Sequence, residues 1–173
     1  MKRLTTFLSL ALLSFTLHSA HSLAENISGS TKELIQTLRQ AGIQLTINGI
    51  DCKLGIVHGS YIYNGMRRAM LLCPGETFDP IDHATVRHET WHAIQHCINV
   101  ARGTDPSTPA QNNPAVYNAY ISSHLSAKQI AHIKSHYPEE DWLLEMEALF
   151  AQNYFTTEKV TTWFRKSCTF DRG

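Results

Sequence analysis

The five residues His88-Glu89-Thr90-Trp91-His92 constrain this chain more than any other stretch. No proline interrupts the surrounding segment from Thr85 to Ile94, which reads as a helix. Helical spacing of four places both imidazoles on one face, about one turn apart. Two neutral nitrogens on one rigid element can chelate a divalent cation at little entropic cost. Glu89, one residue after the first imidazole, can reach a metal-bound water instead of the ion itself. The pattern is therefore two ligands plus a general base, and it requires a third ligand from elsewhere in the chain.

The rest of the chain bounds where such a site can operate. Lys2-Arg3, an apolar run from Leu4 to Leu17 and the small residues before Glu25 form a secretory signal pattern over residues 1–24. The expected cut follows Ala24, with Ser22 as second choice. The apolar run is too short for a stable transmembrane anchor. Residues 25–173 then suit a single domain. Removal of the signal leaves 13 basic against 15 acidic residues, a net charge of −2 with histidines neutral. No basic field is present to attract nucleic acid or anionic lipid. The expected location is periplasmic or secreted.

Cys52, Cys73, Cys97 and Cys168 all lie in the mature part. Four thiols in an exported chain imply two disulfides, with three connectivities available. The favoured pairing is Cys52–Cys73, stapling neighbouring strands, and Cys97–Cys168, tying the motif helix to the C-terminus. A four-cysteine zinc site is the rival, disfavoured because no Cys-x-x-Cys spacing occurs.

In chain order, Ser30-Thr31 caps a first helix with Leu34, Ile35 and Leu38 on its apolar stripe, ending near Gly42. Gln44–Ile50 alternates as a strand. Tyr61–Tyr63, Asn64-Gly65 and Met66–Cys73 give a hairpin, so a small antiparallel sheet of three or four strands is expected. Asp79-Pro80 or Asp82 starts the motif helix, which runs to about Asn99 with Ala93, Ile94 and Cys97 as core contacts. His96 lies a further turn beyond His92, about 6 Å along the axis, and is not expected to share an ion. Arg102 to about Tyr120 reads as a long loop, either a lid or rim or a plain connector. Helices are expected at Ser126–Tyr137, after Pro138 through Ala151, and from Thr156-Thr157 to Cys168. The fold class is α+β, a small sheet followed by a mostly helical region.

The motif, with uncharged Val86, Thr90, Trp91 and Ala93 and the hydrophobe Ile94 around it, resembles the zincin metallopeptidases. In the metzincin branch a third histidine follows a glycine, but Gln95 and Ile98 occupy those positions here. A pattern with Gly-Thr-x-x-Asp also fails, because Asp105 follows Gly103-Thr104 directly. The gluzincin branch takes a glutamate from a later helix. Glu145-Met146-Glu147-Ala148, led in by Trp142, resembles that segment, with Ala148 as the small residue at a close helix packing. Glu145 is the favoured ligand. Glu147, about 200° away around the helix, is the competitor, and the loser of the two is a candidate to orient a ligating histidine.

The resemblance spans roughly half of residues 25–173. It implies a Zn2+ ion on His88, His92 and Glu145, and hydrolysis of peptide or protein substrates with Glu89 as general base. By the same analogy, the strand before the motif helix forms the cleft rim and pairs with extended substrate. Tyr137, His136 and Tyr154 are open candidates for an oxyanion donor. The alternatives are a catalytically silent, zinc-stabilised and disulfide-stapled toxin, inhibitor or binding module, and a stapled helical domain with no metal. Oligomeric state is not readable from the sequence.

Overall fold

Leu34, Ile35 and Leu38 recur at helical spacing and form the buried face of the first helix, α1 (Gly29–Gln40). Helix α1 begins at Gly29, so Ser30 and Thr31 lie in its first turn instead of preceding it. The computed structural model describes residues 27, 29–54, 58–65, 67–75, 78–105, 108–110 and 114–168. The expected signal segment, and Met66 in the hairpin loop, lie outside them. Gly42 turns the chain out of α1 at φ +77°, a conformation that costs glycine little.

Strand β1 (Gln44–Ile47) follows, then a 3₁₀ turn over Ile50–Leu54, β2 (Gly59–Tyr63) and β3 (Arg68–Leu72). β2 and β3 form the expected antiparallel pair, with Tyr61 opposite Met70. The sheet order is β1-β3-β2, and β1 runs parallel to β3, so the sheet is mixed and not wholly antiparallel. The cause is the connection after β1, which passes over the C-terminal end of β3 and enters the sheet on its far side. Two hydrogen bonds fasten it there: Asn48 N–H to the Leu72 carbonyl at 2.9 Å, and Cys73 N–H to the His58 carbonyl at 2.8 Å. The Cys52–Cys73 disulfide closes the same crossing, with Cα atoms 5.3 Å apart. β3 is thus flanked on both sides, and among the described residues β2 has a strand on one side only, leaving its other edge free.

Helix α2 (Pro80–Arg102) carries the motif and runs three residues beyond the expected end. Asp79 caps it through the N–H groups of Ile81 and Asp82, while the Asp82 carboxylate returns to Asp79 N–H at 2.9 Å. This reciprocal box, with Pro80 at the first turn, fixes where the helix starts. Gly103 ends it in the left-handed conformation at φ +67°. The expected loop after Arg102 is shorter than composition suggests, because α3 (Pro114–His124) occupies its second half. Helices α4 (Ala127–His136), α5 (Trp142–Tyr154) and α6 (Thr157–Ser167) complete the order, with a 3₁₀ turn at Glu139–Asp141. Ser126 and Thr156 cap α4 and α6.

Two apolar clusters fill the interior, and α2 contributes Val86, Trp91, Ala93, Ile94 and Cys97 to the first. In it, Leu34, Leu38, Met70, Val86, Ile94 and Phe164 join α1, the sheet, α2 and α6. In the second, Ile121, Ile133, Met146 and Phe150 join α3, α4 and α5. Thr90, Gln95 and Asn99 of α2 are buried, which leaves these polar residues dependent on internal partners. The Cys97–Cys168 bond joins the far part of α2 to the end of α6 across 71 residues. Both disulfides match the pairing favoured from the sequence.

On the chain-entropy account, the Cys97→Ser, Cys168→Ser double variant loses about 4 kcal/mol of folding stability. Denaturant melts under oxidising conditions check this. An unchanged midpoint would show that the bridge contributes nothing.

Candidate metal centre

His88, Glu89 and His92 are positioned by α2, and Glu145 by the first turn of α5. Ala93 of α2 and Ala148 of α5 are both fully buried in the same apolar cluster. The register is locked by Arg87, whose Nε and Nη2 donate to the Gln152 carbonyl at 3.1 and 2.9 Å. These contacts bring the Glu145 carboxylate over the motif face of α2.

The three donor groups form a tight triangle. His88 Nε2 and His92 Nε2 are 3.1 Å apart. Glu145 Oε2 lies 3.3 Å from His88 Nε2, and Glu145 Oε1 lies 3.4 Å from His92 Nε2. A tetrahedral ion with bonds of about 2.0–2.1 Å has ligand-to-ligand edges of about 3.3–3.4 Å. Each imidazole meets its own carboxylate oxygen at close to that spacing. With one ligand atom taken per residue, the three lie within 4.8 Å of one another, a group that could hold one metal ion. Among the described residues no other group of three or more histidine, cysteine or acidic side chains meets at such spacing.

The electrostatics show the same demand for a cation. Burial works against a charged His92, yet the hydrogen bond and charge of Glu145 outweigh it and raise its pKa to about 9. Burial likewise opposes ionisation of Glu145, but the two imidazoles draw its pKa down to about 2. With no metal considered, a proton on His92 supplies the positive charge that Glu145 requires. A metal ion would take over that charge.

Which nitrogen of His92 faces the triangle is set from behind. Nδ1 lies 2.8 Å from Gln95 Oε1, an acceptor, so Nδ1 carries the hydrogen and leaves an Nε2 lone pair for the ion in the neutral ring. The Gln95 amide is itself fixed by donating to the Leu144 carbonyl at 3.1 Å and to Glu147 Oε2 at 2.6 Å. Glu147 therefore does not join the triangle; it orients His92 through Gln95. Its carboxyl is raised by burial and drawn down by the bonds from Gln95 and Ala110. The Trp91 indole N–H also lies close enough to lower that pKa, though outside good hydrogen-bond geometry with Oε1. His88 Nδ1 is buried without a hydrogen-bond partner, so packing alone orients this second imidazole.

Glu89 stands beside the triangle, only 6% exposed, and burial raises its pKa against the pull of both histidines. The Tyr61 backbone N–H lies near enough to its carboxylate to draw that pKa down slightly. That approach follows from β2 geometry. Asn64 and His58 exchange bonds with β3, so the even-numbered residues face β3 and residues 59, 61 and 63 point N–H and C=O off the free edge. Gly59 makes the approach feasible. A Cβ there would sit 2.6 Å from the Thr85 methyl and 3.0 Å from Glu89 Cγ. The rim strand is thus β2, not β3, the strand immediately before α2 that the analogy indicated.

Two hollows meet at Glu145. A cleft of about 670 Å³ opens on the His88 side, walled by Gly59, Thr85, Glu89, His136 and Tyr137. A smaller one of about 240 Å³ opens on the His92 side, walled by Tyr61, Tyr63, His96 and Leu144. His96 stays out of the triangle as expected: its Nδ1 is 2.7 Å from the Tyr61 hydroxyl, and the Tyr63 ring lies over it at 3.7 Å. Of the three oxyanion candidates, Tyr137 lines the wider cleft with Glu145, and burial with the nearby Glu145 and Glu89 charges raises its pKa to about 12, so it remains an O–H donor. His136 lines the wider cleft. Tyr154 is elsewhere, donating to the His124 carbonyl at 2.6 Å.

Sequence reasoning missed Gln95, Gly59 and Tyr61. Only Gln95 left a signal, an amide three residues after His92 in an otherwise apolar stretch. Compared with protein-family models, curated proteins and solved structures, the chain matches none.

Replacing Gln95 by leucine removes the acceptor that fixes the His92 tautomer. Metal affinity, read by competition with a chromophoric chelator, is expected to fall about 10–100-fold. An unchanged affinity would mean that Gln95 does not orient the ligand.

Proposed function

We propose that this protein is an exported, zinc-dependent metallopeptidase of the zincin type, in which Glu89 is the general base. The observation that carries the reading is the buried Glu89 carboxylate. It stands beside the His88, His92 and Glu145 donors, faces a cleft and is not itself one of the three. A purely structural metal site has no need of a desolvated carboxylate there, and burying one is costly. This disfavours a catalytically silent module. The imidazole–carboxylate donor set suits zinc, and two disulfides suit an oxidising compartment outside the cytosol.

Zinc held by His88, His92 and Glu145 supplies Lewis acidity, making a water acidic near neutral pH and polarising a carbonyl oxygen. The chain's own residues do the rest. Glu89, beside Tyr61 N–H, accepts the proton of the attacking water and delivers it to the departing amine nitrogen. Its raised pKa suits both halves of that exchange. Extended substrate pairs with the free edge of β2 through the outward Gly59 groups and the Tyr61 carbonyl, Tyr61 N–H lying near Glu89. The hollow lined by Tyr61, Tyr63 and Leu144 takes an apolar side chain next to the scissile bond. Tyr137 O–H, in the same cleft as Glu145, is the donor for the developing oxyanion.

Glu89→Gln keeps the size and hydrogen bonding of the side chain and removes the base. Hydrolysis of a fluorogenic peptide library by the zinc-loaded protein is expected to drop by about 10²–10⁴-fold with metal content unchanged. Equal turnover by both proteins would sink the assignment of Glu89.

A further inference from the structure

The support behind His92 does not end at Glu147. Glu147 Oε2 accepts two hydrogen bonds, one from Gln95 Nε2 at 2.6 Å and one from the Ala110 backbone N–H at 2.9 Å. Glu147 is 1% and Ala110 2% exposed, so no bulk water replaces either donor. The segment bearing Ala110 is itself clamped to the last turns of α2. Asn99 Nδ2 donates to the Thr108 carbonyl, and the Arg102 guanidinium binds the Ala110 carbonyl. Residues 108–110 are therefore seated on the back of the metal centre, away from the cleft mouth.

Taking the metal-site reading as its basis, we infer that the Ala110 backbone N–H is a positioning group for the metal. Seating of residues 108–110 and metal occupancy are thermodynamically coupled through Glu147, Gln95 and His92. The carboxylate oxygen is shared. When Ala110 withdraws, Glu147 is left with one fewer donor in a buried site, and its hold on the Gln95 amide changes. The Gln95 carbonyl then no longer fixes the Nδ1–H of His92, and the ring loses its ligating orientation. The coupling is reciprocal: metal that locks His92 also holds Ala110 in place, and whatever lifts residues 108–110 releases the metal. The segment that sequence composition left open as either rim or connector acts instead as a latch on metal affinity.

Ala110→Pro deletes the N–H without removing a side-chain contact of any size, and Ala110→Gly keeps the N–H as the control. Zinc dissociation constants come from chelator competition, and amide hydrogen exchange at Thr108 and Ala110 is followed in the wild type with and without zinc. The coupling predicts affinity weaker by about 5–150-fold in Ala110→Pro. It also predicts near-wild-type affinity in Ala110→Gly and slower exchange at both amides when zinc is bound. A segment serving only packing would leave the zinc constant and the zinc-dependent exchange unmoved, and that result overturns the inference. Should Ala110→Pro fail to fold, the wild-type exchange comparison decides alone. A wild type that takes up no zinc removes the metal site and the coupling together. Zinc binding without any change in exchange removes the coupling only.

Discussion

Two imidazoles and a carboxylate held within about 3.4 Å of one another, inside a helical core, are the constraint on which this structure depends. Burying such a cluster calls for positive charge beside the carboxylate and for partners to its polar atoms. The apolar cluster shared by α1, the sheet, α2, α5 and α6 buries one face of α2, with Ala93 and Ala148 both inside it. The Asp79–Asp82 cap and the Cys97–Cys168 bridge fix the two ends of the same helix. Each of these features, ordinary alone, acts on the position of one triangle of donor atoms.

The support is uneven around that triangle. His92 is oriented by a continuous polar relay through Gln95 and Glu147, whereas His88 relies on packing. Glu145 shares its cleft with Tyr137, and Glu89 lies against Gly59 of β2. The base and the ligands are thus anchored to different elements. Glu89 depends on the sheet and on the missing Cβ of Gly59, and the ligands depend on the pairing of α2 with α5. A disturbance of the sheet is therefore able to impair Glu89 while the metal stays bound.

Much of this was legible before any coordinates. The motif helix, its start at Asp79-Pro80 or Asp82, the favoured disulfide pairings and the His88–His92 pair follow from spacing and residue type, and the gluzincin resemblance favours Glu145 over Glu147. They are readable because helical periodicity, loop-closure chemistry and the donor set are local or few-body properties. Exclusion of His96 was equally readable, from a single turn of rise. The parallel pairing of β1 was not, since the Asn64-Gly65 turn specifies only the neighbouring hairpin and nothing local says that β1 pairs with β3 on the side away from β2. The second half of the long loop was misjudged for a related reason: its Asn, Pro and Ser content marks the entry to α3, and the helix itself begins at Pro114. Gly59 and Ala110 act through an absent side chain and a backbone N–H, which leave no trace in the residue type.

The central claim is that one divalent ion binds His88, His92 and Glu145. The most direct measurement is metal stoichiometry by mass spectrometry, on purified oxidised protein supplied with zinc, beside Glu145→Ala. The account predicts one zinc ion per wild-type chain and none retained by the variant. No zinc on the wild type, or an equal content in both proteins, would contradict it.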